Sequence, residues 1–186
     1  MKLPKTYKCL KTNIFSDSKF KIIPIRFEDS IEIMNWRNEQ IEILRQSEKL
    51  TSDKQIEYFS TVVNKLFYEK EPSQLLFSFF YEEELIGYGG LVHIDWENCN
   101  SEISFLLKTE LNDIESYIEK FTFFLKLVYQ LAESISLHKI YTYGYDIDEY
   151  RFAPLINLCY EKEVVLKKQK KTNDNWYDVL IYSKFI

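Results

Sequence analysis

Between Ile114 and Ile135 apolar residues recur at intervals of three and four: Ile114, Tyr117, Ile118, Phe121, Phe124, Leu125, Val128, Leu131 and Ile135. That is the period of one helix face, and it predicts a long amphipathic helix. The stretch before it has a different rhythm. From Leu85 to Ile94 alternate residues fall on opposite faces of a strand, with Leu85, Gly87, Gly89, Leu91 and His93 on one and Ile86, Tyr88, Gly90, Val92 and Ile94 on the other. A turn at Glu97-Asn98-Cys99-Asn100 leads to a second strand with Ile103, Phe105 and Leu107 on one face. Glu102, Ser104 and Leu106 form a mixed face that reads as a cleft wall. Three of the four glycines lie in the first of these strands. Glycine weakens a strand unless something must approach closely, so Gly87 and Gly89 predict a helix or ligand pressed on their face.

The remaining elements follow the same signals. Tyr7–Phe15 reads as a short edge strand and Lys21–Phe27 as a strand with an edge or bulge at Pro24. Asp29 or Ser30 caps a helix ending near Trp36-Arg37-Asn38, and an irregular or helical piece spans Ile41–Gln46. Thr51-Ser52-Asp53 opens a second helix, and Leu75–Tyr81, apolar on both faces, is a central strand. Asn112 and Glu115 have the spacing of a capping box for the long helix. Lys139–Tyr145 is a strand parallel to the one before that helix, because the crossover is long. Glu149–Glu161 is a shorter helix. Glu163–Lys170 and Trp176–Phe185 close the chain as a hairpin, with a turn at Thr172-Asn173-Asp174-Asn175.

Composition narrows the class. A chain of 186 residues with 46% apolar content fits one domain with a proper core, residues 1–20 being an extension or edge strand. The 29 acidic and 24 basic side chains leave a net charge of −5, which argues against a nucleic-acid partner. Cys9, Cys99 and Cys159 are widely spaced and only two histidines are present, so reduced thiols and no metal are expected. No apolar run is long enough to span a membrane, and the N-terminus has no apolar leader core. A cytoplasmic protein is the expectation, with a homodimer left open.

The order is strand, helices, three antiparallel strands, helix, strand, helix, two strands. It describes a mixed α/β (α+β) single-domain sandwich. Five segments in this order resemble the GCN5-related N-acetyltransferases. They are Trp36-Arg37-Asn38, Ile86-Gly87-Tyr88-Gly89-Gly90-Leu91, Glu102-Ile103-Ser104-Phe105-Leu106-Leu107, Leu137-His138-Lys139-Ile140 and Leu158-Cys159-Tyr160-Glu161-Lys162. The likeness is strongest to the branch of ribosomal-protein N-terminal acetyltransferases and surface-sugar acetyltransferases, and covers roughly residues 20–186.

The resemblance implies a mostly antiparallel sheet whose central parallel strands splay apart, and acetyl transfer from acetyl-CoA to an amine. It implies that Phe105, Leu106 and Leu107 receive the pantetheine arm, with a backbone amide stabilising the oxyanion. Lys108 and Asn112 would meet the phosphates. Glu102 is the expected base, or else an exposed strand carboxylate. Tyr160 matches the tyrosine that protonates the leaving thiolate, or is a core tyrosine. Arg37, Asn38, His93 and Asp95 are expected on the acceptor side. Arg37 grips a carboxylate or phosphate, or makes a structural salt bridge. His93 is a second base or a hydrogen-bonded strand histidine, and Asp95 contacts substrate or simply ends the hairpin. Lys167, Lys168, Lys170 and Lys171 attract an anion or guard a strand edge.

The chain departs from the family pattern in three places: Val164-Val165 stands for the usual Gly-Phe after the last helix, Ala153 stands where many members have an Asn that contacts the cofactor, and the pyrophosphate loop differs most. Where members carry a glycine-rich loop for the pyrophosphate, this chain has Lys108-Thr109-Glu110-Leu111-Asn112-Asp113-Ile114-Glu115, with three carboxylates and no glycine. A carboxylate ~4 Å from a phosphate charge costs about 4 kcal/mol at an effective dielectric near 20. The expected acceptor is a small primary amine such as an amino sugar or nucleotide sugar. The alternatives are a peptide or protein N-terminus, or a catalytically silent binding subunit.

Overall fold

The computed structural model describes residues 2–172 and 174–186. Asn173, which the sequence places in the last hairpin turn, lies outside the described residues. Eight strands form one sheet in the order β1-β2-β3-β4-β5-β6-β8-β7. They are β1 (Phe15–Asp17), β2 (Phe20–Pro24), β3 (Gln74–Tyr81), β4 (Glu84–Asp95), β5 (Asn100–Leu107), β6 (Lys139–Tyr145), β7 (Glu161–Thr172) and β8 (Asn175–Phe185). Every pairing is antiparallel except β5 with β6.

The helix α4 (Ile114–Ser134) covers one face. Phe121 stacks on Phe105 and Phe124 meets it at a tilt, with ring centroids 4.6 Å apart in each pair, and Phe124 meets Phe79 edge-on. The close approach read from Gly89 is this helix: a Cβ there would sit 2.8 Å from Phe124 Cζ and 2.1 Å from the Ser104 carbonyl. The helices α1 (Ser30–Glu39), α2 (Ser52–Tyr58) and α3 (Asn64–Leu66) serve the other face. A wide turn over Phe59–Val63 runs α2 into α3 and buries both end residues of that turn.

Several local expectations change. Tyr7–Phe15 is not a strand. Tyr7 instead stacks on Phe67 at 4.2 Å, and its hydroxyl both donates to the Leu76 carbonyl and accepts from the Leu76 amide. Asp29 precedes α1 without capping it, because its carboxylate is taken by Arg26 and by the Ser78 hydroxyl. Asp113, not Asn112, caps α4, accepting from the Ser116 amide. The last helix is shorter than its pattern: a 3-10 turn over Glu149–Phe152, then α5 (Ala153–Asn157). Among the described residues no helix is long and apolar enough to cross a membrane.

Candidate active site

The parallel pairing of β5 with β6 lasts for three rungs, Asn100–Lys139, Ser101–Ile140 and Glu102–Tyr141. Beyond Glu102 the two strands part. β4 stays paired with β5 as far as Leu107, so only the β6 side of β5 is released. The carbonyls of Ser104 and Leu106 crowd the glycines of β4, 2.1 Å from a Cβ on Gly89 and 2.7 Å from one on Gly87. By strand alternation the main chain of Ile103, Phe105 and Leu107 therefore turns to the gap. Leu106, grouped with Phe105 and Leu107 in the sequence, offers the gap no backbone.

A cleft of about 530 Å³ runs through the sheet at this parting. Its α4 side is walled by Phe105, Tyr117, Phe121, Arg151 and Phe152, and its α1 side by Arg37, Arg45, Tyr88 and Glu102. The gap is open rather than filled by side chains.

Glu102 is buried on the last rung and is not the exposed strand carboxylate of the alternative reading. Its carboxylate is paired with the Arg45 guanidinium, which also lies 4.7 Å over the ring of Tyr143. Arg45 has no counterpart in the sequence expectations. It arrives on a loop after a 3-10 turn at Ile41–Ile43. Asn38 holds that loop: its Oδ1 accepts from the Leu50 and Gln46 side, through the Leu50 amide and Gln46 Nε2, and its Nδ2 donates to the Leu50 carbonyl. Asn38 is therefore committed to the loop and not to an acceptor. Arg37 lines the cleft, donating to Tyr88 OH at 2.6 Å and to Gln46 Oε1 at 2.9 Å.

His93 also lines the cleft, exposed, at a bulge where its backbone is left-handed with φ 52°. That bulge ends the strict alternation read along β4. Asp95 does not face the cleft. Its carboxylate accepts from the amide and side chain of Asn98, closing the hairpin turn, and those bonds hold its carboxyl below the usual range.

Tyr160 is placed elsewhere. It lies in a second concavity with Leu125, Tyr129, Leu158 and Lys184, and does not line the cleft. Its hydroxyl is buried without a partner, and burial pushes it well above the usual tyrosine range. α5 ends at Asn157, Cys159 takes a left-handed turn (φ 59°), and Tyr160 lies just before β7 rather than on a helix. The tyrosines at the cleft are Tyr58, Tyr88, Tyr117, Tyr143 and Tyr145. Burial pushes Tyr117 up to about 12 against the opposing pull of Arg151, whose guanidinium lies 4.8 Å over its ring.

The turn after β5 is tied to α1 by Gln40. Its Nε2 donates to the Leu107 carbonyl and to Thr109 Oγ1, and its Oε1 accepts from Asn112 Nδ2. Asn112 Oδ1 is left buried and unpartnered. Lys108 pairs with Glu84 at 3.2 Å, and its amide donates to the Ile86 carbonyl. Glu110, Asp113 and Glu115 are exposed.

These features match a known arrangement. Residues 22–181 match the model of the acetyltransferase (GNAT) domain. The chain belongs to the GNAT acetyltransferase family. No curated protein sequence matches it. Among solved structures it is similar to the spermidine N-acetyltransferase of Vibrio cholerae in complex with CoA and spermine. That likeness has 15% identity, 91% of this chain and 96% of that one covered, and a TM-score of 0.76. It is also similar to RimL, a ribosomal L7/L12 α-N-protein acetyltransferase in complex with CoA, with 12% identity, 93% and 98% covered and a TM-score of 0.73. A third is the ribosomal-protein-S5-alanine acetyltransferase of Vibrio fischeri, with 18% identity, 92% and 96% covered and a TM-score of 0.70. At these identities the likeness is one of fold, a mixed and mostly antiparallel GNAT sheet with one parallel pair.

Proposed function

We propose that this acetyltransferase moves an acetyl group from acetyl-CoA to the primary amine of a small acceptor, an amino sugar or nucleotide sugar being the favoured class. The observation that carries the reading is the buried carboxylate of Glu102 on the rung where β5 and β6 part, at the centre of an open cleft.

The residues fit the donor. Phe105 turns main-chain groups into the gap, the Leu107 carbonyl being taken by Gln40, and Phe121, Phe152 and Tyr117 give it an apolar wall. At the phosphate end Arg151 supplies a cation, and the exposed acids of the glycine-free turn point to solvent. Lys108 and Asn112 flank that turn; the Asn112 Nδ2 is committed to Gln40, so of the two side chains Lys108 is the one suited to a phosphate. When bound, acetyl-CoA supplies the acetyl group as a thioester. The Phe105 amide, free of β6, donates to the developing oxyanion. Glu102 would take a proton from the acceptor's ammonium so that the amine can attack the thioester carbon; as the C–N bond forms the C–S bond breaks, and CoA leaves as the thiolate, which takes up the amine's second proton. Tyr160, in its separate concavity, has no part in this scheme.

Protein N-terminal acetylation keeps the chemistry and changes the acceptor. Calorimetry with acetyl-CoA, followed by a thiol-release assay on amino sugars and short peptides, tests both. Acetyl-CoA binding and turnover on an amino sugar are expected. No heat at millimolar acetyl-CoA would sink the proposal, and turnover on peptides alone would move the acceptor to a protein N-terminus.

A further inference from the structure

The acceptor half of the cleft carries an unusual balance of charge. Among the described residues that line the cleft, the one carboxylate is Glu102, while Arg37, Arg45 and Lys54 on the acceptor side are cations. Lys54 has Glu48 as its own partner at the surface. Arg37 is half-buried, and both hydrogen bonds from its guanidinium end on neutral groups, Tyr88 OH and Gln46 Oε1. A half-buried cation so placed is incompletely compensated.

Arg45 sharpens the point. Its guanidinium occupies the carboxylate that an acceptor's ammonium needs. Its backbone is held, since Asn38 fastens the loop at Leu50 and Lys170 donates to the neighbouring Leu44 carbonyl at 3.4 Å. The side chain itself is about half exposed. Displaced from Glu102, it turns about its own torsions and stays at the cleft, beside Tyr143.

We infer that the acceptor is an amine that also carries an anionic group, a phosphate or a carboxylate, and that binding is an exchange of ion pairs. The acceptor's ammonium takes Glu102, and its anion takes the released Arg45 together with Arg37. Planar guanidinium groups suit either oxyanion in a bidentate pair. A polyamine meets the opposite situation, several ammonium groups facing three cations and a single carboxylate. This inference rests on the acetyltransferase reading above and narrows its acceptor.

Two matched pairs test it, glucosamine against glucosamine phosphate and alaninamide against alanine, with spermidine as the polycation. Each is titrated by calorimetry and assayed for turnover with saturating acetyl-CoA. In at least one pair the anionic member is expected to bind at least roughly tenfold more tightly, the scale of one charge-assisted hydrogen bond. Which pair does so distinguishes phosphate from carboxylate. Arg45→Gln is expected to shrink that gap through KM, and Arg45→Lys to restore part of it. Arg37→Gln gives a second, independent reduction. Equal affinities within both pairs, or spermidine as the tightest ligand, overturns the inference. If acetyl-CoA itself fails to bind, the acetyltransferase reading falls and the inference falls with it.

Discussion

The two sides of the cleft are built from different materials. On the α4 side Phe105 stacks on Phe121 and meets Phe124 at a tilt, Gly89 leaves no room for a methyl group, and among the described lining residues Arg151 is the single cation. On the α1 side an ion pair, a guanidinium with neutral partners and an asparagine-fastened loop meet at the buried Glu102. The first wall is held by packing, which tolerates almost no change of volume. The second is held by polar contacts that an incoming ligand can exchange. A donor used in every turnover suits a rigid wall, and the proposed charge-recognised acceptor suits an exchangeable one.

Variants in the packed part of the α4 side are expected to lose the fold, and variants on the α1 side to lose turnover. The largest effect is expected of Gly89→Ala. The added Cβ meets the Ser104 carbonyl and Phe105 Cα, both backbone, so neither can yield as a side chain would. A loss of more than about 3 kcal/mol in urea unfolding is expected. Ordinary stability would show that β4 and β5 can separate there, and would end the idea of a rigid wall. Glu102→Gln comes next. It should lower kcat/KM by roughly 10²–10⁴, the usual weight of a general base, with the melting temperature little changed because the half-exposed Arg45 can turn to water. A variant that unfolds instead would make Glu102 a structural residue.

Legibility in the sequence follows the same division. The long helix, the apolar β3 and the β4–β5 hairpin are written in periodic patterns, because packing against a sheet demands them. Gly89 announced its close contact for the same reason. Arg45 gave no signal, since a lone arginine in an aperiodic loop becomes meaningful only when Asn38 and Leu50 fold the loop back. Gln40 is equally silent, its role depending on three partners 67 to 72 residues away. Tyr160 misled because motif spacing assumes a full helix, and α5 stops at Asn157. Arg151 had one faint cue, its place beside Tyr150 in an aromatic-rich stretch.

Smaller effects refine the contrast. Arg151→Ala should weaken acetyl-CoA binding by about tenfold in calorimetry, as loss of one charge-assisted contact predicts, and leave acceptor discrimination as it was. A change in discrimination would mean that the two halves are coupled. The packed wall also predicts an alkaline limit. Tyr117 is pushed up to about 12 by burial, and Tyr7 and Tyr160 are raised by the same cause. A group held above its unfolded value adds stability below that value, near 10 for tyrosine. That stability is lost as the pH rises from about 10 toward the folded values. Unfolding midpoints should therefore fall over this range, with tyrosinate absorbance appearing alongside unfolding. Midpoints that stay level to pH 12 would mean that Tyr117 titrates as freely as in water.

The three-rung joint between β5 and β6 also bears on the order of assembly. β3, β4 and β5 are linked by tight hairpins, whose closure involves little chain. The joint forms only after the 21 residues of α4 have been laid across the sheet, and such distant pairings are slow to nucleate. Glu102 is thus set in its strand early but gains its neighbour Tyr141 across the joint late. In pulse-labelled refolding the amides of β3 and β4 should become protected before those of β6. A chain caught between these stages would have the β3–β5 hairpins and no cleft.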